Sequence, residues 1–112
     1  MRDVKARLLD ILEAIANIER YAEHGREEFE NNELIQNWFF RQLEIIGEAV
    51  RSLPDEIKDL SPQTSWSGII SMRNILAHGY FEIDKEVVWN TIQSDIPTLK
   101  SHIQGIINTL SR

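Results

Sequence analysis

Leu34-Ile35-Gln36-Asn37-Trp38-Phe39-Phe40-Arg41-Gln42-Leu43-Glu44-Ile45-Ile46-Gly47-Glu48-Ala49-Val50 is the stretch that decides the architecture of this chain. Leu34, Ile35, Trp38, Phe39, Leu43, Ile45, Ile46, Ala49 and Val50 recur at helical spacing and spread over an apolar arc too wide for one neighbour to cover. The expectation is a long helix from about Asn32 to Leu53, central in a bundle. Leu53-Pro54-Asp55 ends it, because a proline pushes the preceding residue out of helical dihedrals. Trp38, Phe39 and Phe40 are adjacent and cannot all point inward, so at least one meets a further helix or a second subunit.

Working outward toward the N-terminus, Val4, Leu8, Ile11, Leu12, Ile15 and Ile18 recur every three or four residues from Asp3 to about His24. They predict an amphipathic helix opened by Asp3 as N-cap and closed by Gly25. Arg26 to Asn32 is charged without periodicity and reads as a loop or frayed turn. On the other side, Asp55 to Thr64 reads as a connector with one helical turn. A third helix is expected from Ser65 or Ser67 through Ile69, Ile70, Ile75 and Leu76 to His78, where Gly79 offers a left-handed stop. Asp84 is expected to cap a fourth helix through Val87, Val88, Trp89 and Ile92. Asp95-Ile96-Pro97 is expected to open a fifth, with Leu99, Ile103, Ile106, Ile107 and Leu110 on its apolar side. No segment alternates as a strand would. The fold class is therefore all-α, an antiparallel up-and-down bundle of four to five helices in a single domain, residues 1–112.

The 112 residues include 42% apolar ones, enough for one core, and no cysteine, which excludes disulfides, thiolate nucleophiles and cysteine zinc sites. No apolar run approaches the roughly 20 residues of a membrane span, and a soluble, cytoplasmic protein without a membrane partner is expected. A net charge of −6 and a pI near 5.0 argue against broad clinging to nucleic acid. No DNA partner is expected, and any RNA chemistry needs a local basic pocket. His24 and His102 lack partners at ligand spacing, so they read as ordinary surface or helix-end histidines; no metal and no cofactor are expected. Trp66 and Trp89 read as core.

The chemistry gathers in Arg73-Asn74-Ile75-Leu76-Ala77-His78-Gly79-Tyr80. Together with Arg41-Gln42-Leu43-Glu44-Ile45-Ile46-Gly47-Glu48-Ala49-Val50, with Trp66 and Met72, and with Tyr80-Phe81-Glu82-Ile83-Asp84, this stretch resembles the HepT-like toxins of the HEPN superfamily. Those are small helical proteins with an Arg-x4-His-x-Tyr motif that pair with a minimal, MntA-like nucleotidyltransferase antitoxin. The resemblance implies a HEPN-like bundle and a homodimer whose active cleft lies between protomers. It also implies a toxin ribonuclease that cuts RNA, transfer RNA among the candidates, and is silenced when the antitoxin attaches AMP to Tyr80.

Residue chemistry fits that implication. Arg73 offers five donors in a fork that matches phosphate oxygens, and His78 can give or take a proton near neutral pH. Metal-independent cleavage of a phosphodiester needs a base for the 2′-hydroxyl, an acid for the leaving oxygen and cationic donors for the charge on phosphorus. A helix C-terminus favours the imidazolium form of His78, while burial would oppose it. Arg73 and His78 lie about 140° apart around an ideal helix and about 7.5 Å along it. A pocket using both must wrap the helix end or borrow one residue from a second protomer, as two-fold pairing would allow. Asn74, four residues before His78, can line the same pocket. AMP on Tyr80 would add bulk and negative phosphate beside Arg73.

Arg41, Glu44, Glu48 and Arg51 form a polar stripe at i, i+3, i+7 and i+10. They read either as a solvated or interface ion-pair row, or as a row from which Glu48 reaches the cleft and orients Arg73 or His78. The alternative function is a non-catalytic module that binds a nucleotide or serves as accessory subunit of a nucleotidyltransferase.

Overall fold

The computed structural model describes residues 3–78 and 84–111, and for His78 only the backbone. Among the described residues seven α-helices follow in order: α1 (Val4–Ala22), α2 (Gly25–Asn31), α3 (Glu33–Arg51), α4 (Asp55–Lys58), α5 (Trp66–His78), α6 (Lys85–Asn90) and α7 (Ile96–Leu110). A π-helical segment, Thr91–Asp95, joins the last two. The long elements α1, α3, α5 and the continuous rod of α6 and α7 make an antiparallel all-α bundle, with no strand among the described residues.

Central α3 packs along both α1 and α5, and α1 also meets α7. Its breadth is the reason: Phe39, Phe40, Leu43, Ile46, Ala49 and Val50 are all buried, on more than one side of the helix. Leu8, Ile11, Ile15 and Ile18 face them from α1, and Val88, Ile92, Ile96, Leu99, Ile103 and Ile106 close the core from the last rod. Trp38, the third adjacent aromatic, is taken by α1: its Nε1 donates to Asn17 O at 3.0 Å and its ring meets Tyr21 edge-on. Asn17 Nδ2 also donates to the buried Gln42 Oε1 at 3.2 Å, so the polar atoms of the α1–α3 seam are satisfied.

The caps are where side-chain chemistry places them. Asp3 accepts from Ala6 N at 2.8 Å, Asn32 from Leu34 N at 3.0 Å, and Asp84 from Glu86 N at 2.9 Å. Gly25 leaves the first helix with φ of 89°, in the left-handed region.

The helix boundaries differ from expectation at two places. Residues 26–32 are no loop, since α2 occupies nearly all of them. A single anchor, Phe29, is 1% exposed and packs on Phe39 and Trp89 at ring separations of 5.4 and 5.5 Å. The orphan carbonyls at the end of this short helix are met by Gln36, whose Nε2 donates to Phe29 O and Glu30 O. Nor does Asp95 cap a separate fifth helix. Its φ and ψ of −79° and −35° are helical, its side chain caps nothing, and Ile96 N donates back to Thr91 O in a five-residue π step. Pro97 explains the widening: its missing N–H and its ring cannot fit an ordinary α-turn there, and the π step carries the rod past it.

His102 also departs from its reading as a surface or helix-end residue. It lies mid-α7, partly buried, with Nδ1 2.7 Å from Thr64 Oγ1, which is 2.6 Å from Ser61 Oγ. Trp66 is half-buried, not deep core, and its Nε1 donates to Lys58 O and Ser61 O. Trp89 is buried as expected, and exposed His24 sits at the start of α2.

Candidate active site

Arg73 lies on α5 where that helix crosses α3, and the crossing is built around it. Gly47 of α3 is buried directly beneath the arginine stem: a methyl group there would overlap Arg73 Cβ and fall 2.6 Å from its Cγ. The neighbouring Glu48 reaches the other end, with Oε2 3.2 Å from Arg73 Nη2, and Arg73 Nη1 donates to Asn74 Oδ1 at 3.2 Å. The arginine side chain is thus seated in a backbone gap and held at its head by a carboxylate and an amide, leaving 24% of it exposed. Of the two readings of Glu48, the geometry brings it to Arg73.

The ion-pair row exists as well. Glu48 Oε2 is also 3.8 Å from Arg51 Nη1, and Arg41 Nη1 is 3.9 Å from Glu44 Oε2. These long contacts, each with an exposed arginine, contribute about 0–1 kcal/mol. All four groups, with Arg73, line a cleft of about 390 Å³ floored by Ile45 and Ala49 and completed by Arg7 and Asp10 of α1. The two α1 residues were not singled out from the sequence. Their only signal was a basic and an acidic residue three apart beside an apolar stripe, which occurs on most solvated helices.

Asn74, Glu48 and Arg73 are therefore together. His78 ends α5, five residues beyond Arg73, and its side chain, like Gly79 and Tyr80, lies outside the described residues. A second, mostly apolar cavity of about 390 Å³ opens between α3, α5 and α7, among Leu43, Ile46, Ile69, Met72, Ile96 and Leu99, with His102 and Thr64 at its edge. Among the described residues no group of three His, Cys, Asp or Glu is placed to hold a metal ion, and no helix is long and apolar enough to cross a membrane.

The family model described as "Ribonuclease HepT-like" matches residues 11–106, which include the Gly47-Glu48 pair and the whole Arg73–Tyr80 stretch. The chain belongs to the HepT-like ribonuclease family. Relatives of this HepT-like chain include "Putative RNase MJ1380" of Methanocaldococcus jannaschii, 38% identical over 104 residues, covering 92% of this chain and 95% of the relative. "Putative RNase MJ1216" of the same organism is 38% identical over 110 residues, 97% of this chain and 91% of the relative. "Probable ribonuclease HepT" of Thermococcus cleftensis is 40% identical over 106 residues, 94% and 96%. No solved structure matches the HepT-like chain significantly.

Proposed function

We propose that this HepT-like protein is an endoribonuclease that cleaves RNA without a metal, as the toxin of a toxin–antitoxin pair. The observation that carries the reading is the seating of Arg73 by Gly47, Glu48 and Asn74 at the mouth of a cleft, five residues before the histidine of the same helix. A guanidinium held in advance pays no reorganisation when charge builds on phosphorus, which is the most effective use of a cation in catalysis. In the proposed reaction a base removes the 2′-hydroxyl proton, the 2′ oxygen bonds to phosphorus, and the bond from phosphorus to the 5′ oxygen breaks as that oxygen takes a proton. His78 serves one of the two proton transfers and Arg73 stabilises the phosphorane.

The second transfer and the remaining charge come from a partner protomer. Supporting this, α5 is apolar on most sides, yet only Leu76 among its described side chains is buried and Ile75 is 56% exposed, as suits a helix that a second copy covers. Tyr80 is the proposed acceptor of AMP from the nucleotidyltransferase antitoxin. Bulk and phosphate there would compete for Arg73.

The test is cleavage of RNA by purified protein in the presence of a chelator. Wild type is expected to cut, and Arg73→Ala and His78→Ala to lose at least about a hundredfold each, the usual range for an electrostatic donor or a general acid–base. Intact RNA in every tube, with circular dichroism reporting a folded bundle, would turn the reading to a non-catalytic nucleotide-binding or accessory module. For the modification, intact mass after incubation with antitoxin and ATP is expected to rise by whole AMP units in wild type and not in Tyr80→Phe.

A further inference from the structure

We propose that Arg7, Arg41 and Arg51 form with Arg73 a phosphate-binding track that takes the backbone of single-stranded RNA on both sides of the cleaved phosphate. The proposal rests on the nuclease reading for the role of Arg73, and on the cleft itself for the other three.

An acidic chain gathers four guanidiniums from three helices at this one cleft, against three carboxylates, Asp10, Glu44 and Glu48. The local formal charge is +1 within a chain of −6. Along α3, Arg41 and Arg51 are about 15 Å apart, and the Glu48 that holds Arg73 falls between them. At the rise of about 3.4 Å per nucleotide that one strand has in a stacked DNA duplex, that length corresponds to roughly four nucleotides. A strand laid along α3 with one phosphate on Arg73 thus passes an arginine in either direction, while Arg7 faces it from α1.

The difference in how these arginines are held separates their tasks. Arg73 is mostly buried, and its contact with Glu48 is 3.2 Å. Arg41 and Arg51 are 68% and 60% exposed, with carboxylates at 3.9 and 3.8 Å. Such loose pairs are nearly neutral in energy, so a phosphate can replace the carboxylate at little cost. The carboxylates themselves repel the strand, which gives the track a signature that a merely structural ion-pair row lacks: removing an acid must tighten RNA binding.

The experiment measures the Kd of a mixed-sequence single-stranded 2′-O-methyl RNA, which 2′-hydroxyl chemistry cannot cut, across roughly 50–200 mM salt. In Arg7→Gln, Arg41→Gln and Arg51→Gln, binding at low salt is expected to weaken several-fold. The slope of log affinity against log salt should fall by about 0.7 in each, the value for one phosphate contact on a single strand. Glu44→Gln is expected to bind more tightly than wild type. Lys100→Gln, which removes a cation paired with Glu19 between α7 and α1, should leave the slope unchanged. Arginine variants with the wild-type slope, a weaker Glu44→Gln, or a Lys100→Gln change as large as the arginine ones would each overturn the track. Cleavage of ordinary RNA, scored in parallel, tests the nuclease reading separately: a wild type that binds with this pattern but does not cut would lose the nuclease and keep the track.

Discussion

Arg73 owes its setting to what its neighbours lack as much as to what they offer. Gly47 contributes no side chain and Glu48 contributes a charge, so the stem and the fork of the arginine are constrained by consecutive residues of one helix. Glu48→Gln keeps a hydrogen-bonding group of the same size but removes the charge that orients the fork. A drop in kcat of roughly tenfold, about 1.4 kcal/mol, is expected with little change in KM, because the interaction serves the transition state more than the ground state. Arg73→Lys should fall further despite keeping its charge, since an ammonium is a point donor without the planar fork. Steady-state cleavage kinetics of both variants decide the matter, and a Glu48→Gln enzyme altered only in KM would place the carboxylate in substrate binding.

At the scale of elements, the α3–α5 crossing is set by that missing methyl. Gly47→Ala would ordinarily stabilise a helix interior by up to about 1 kcal/mol. Here overpacking of about 1–3 kcal/mol opposes it, and a net loss of stability is expected in urea or thermal unfolding. Cleavage should fall more than the folded fraction does, because the displaced atom belongs to the arginine. The arrangement was only partly legible in the sequence. Central α3, the caps at Asp3 and Asp84, and the end of α3 before Pro54 were readable because each rests on local chemistry or on a long periodic stripe. Short α2 was not, for its helix hangs on one aromatic, Phe29, and on carbonyls satisfied by Gln36 from the next element. The π step was missed for a related reason: Asp95-Ile96-Pro97 has the composition of a helix start, and only the continuous packing of Ile92, Ile96 and Leu99 into the core overrides it. Within the site, Arg73 and Glu48 could be named from sequence, but their contact depends on how closely two helices approach, which no spacing within one helix reveals.

For the whole molecule, the point of α5 that bears on assembly is Ile75, an apolar side chain 56% exposed on the helix that carries Arg73. Ile75→Asp is expected to leave the helical signal in circular dichroism intact, since the side chain is more than half exposed, and to convert the proposed dimer to monomer in sedimentation or light scattering. If the cleft is shared between protomers, cleavage should disappear with the dimer even though every motif residue is retained. A monomeric variant that cuts RNA at the wild-type rate would instead place the whole site within one chain. The stretch between Pro54 and Thr64, proline-flanked and partly exposed, looks like the most dispensable part of the molecule on paper. Its hydroxyls and carbonyls say otherwise, because Ser61 and Thr64 run to His102 while Trp66 is pinned to Lys58 and Ser61. An affinity tag or reporter spliced into that stretch would pull α7 and the first turn of α5 apart, so anyone engineering the protein should fuse elsewhere.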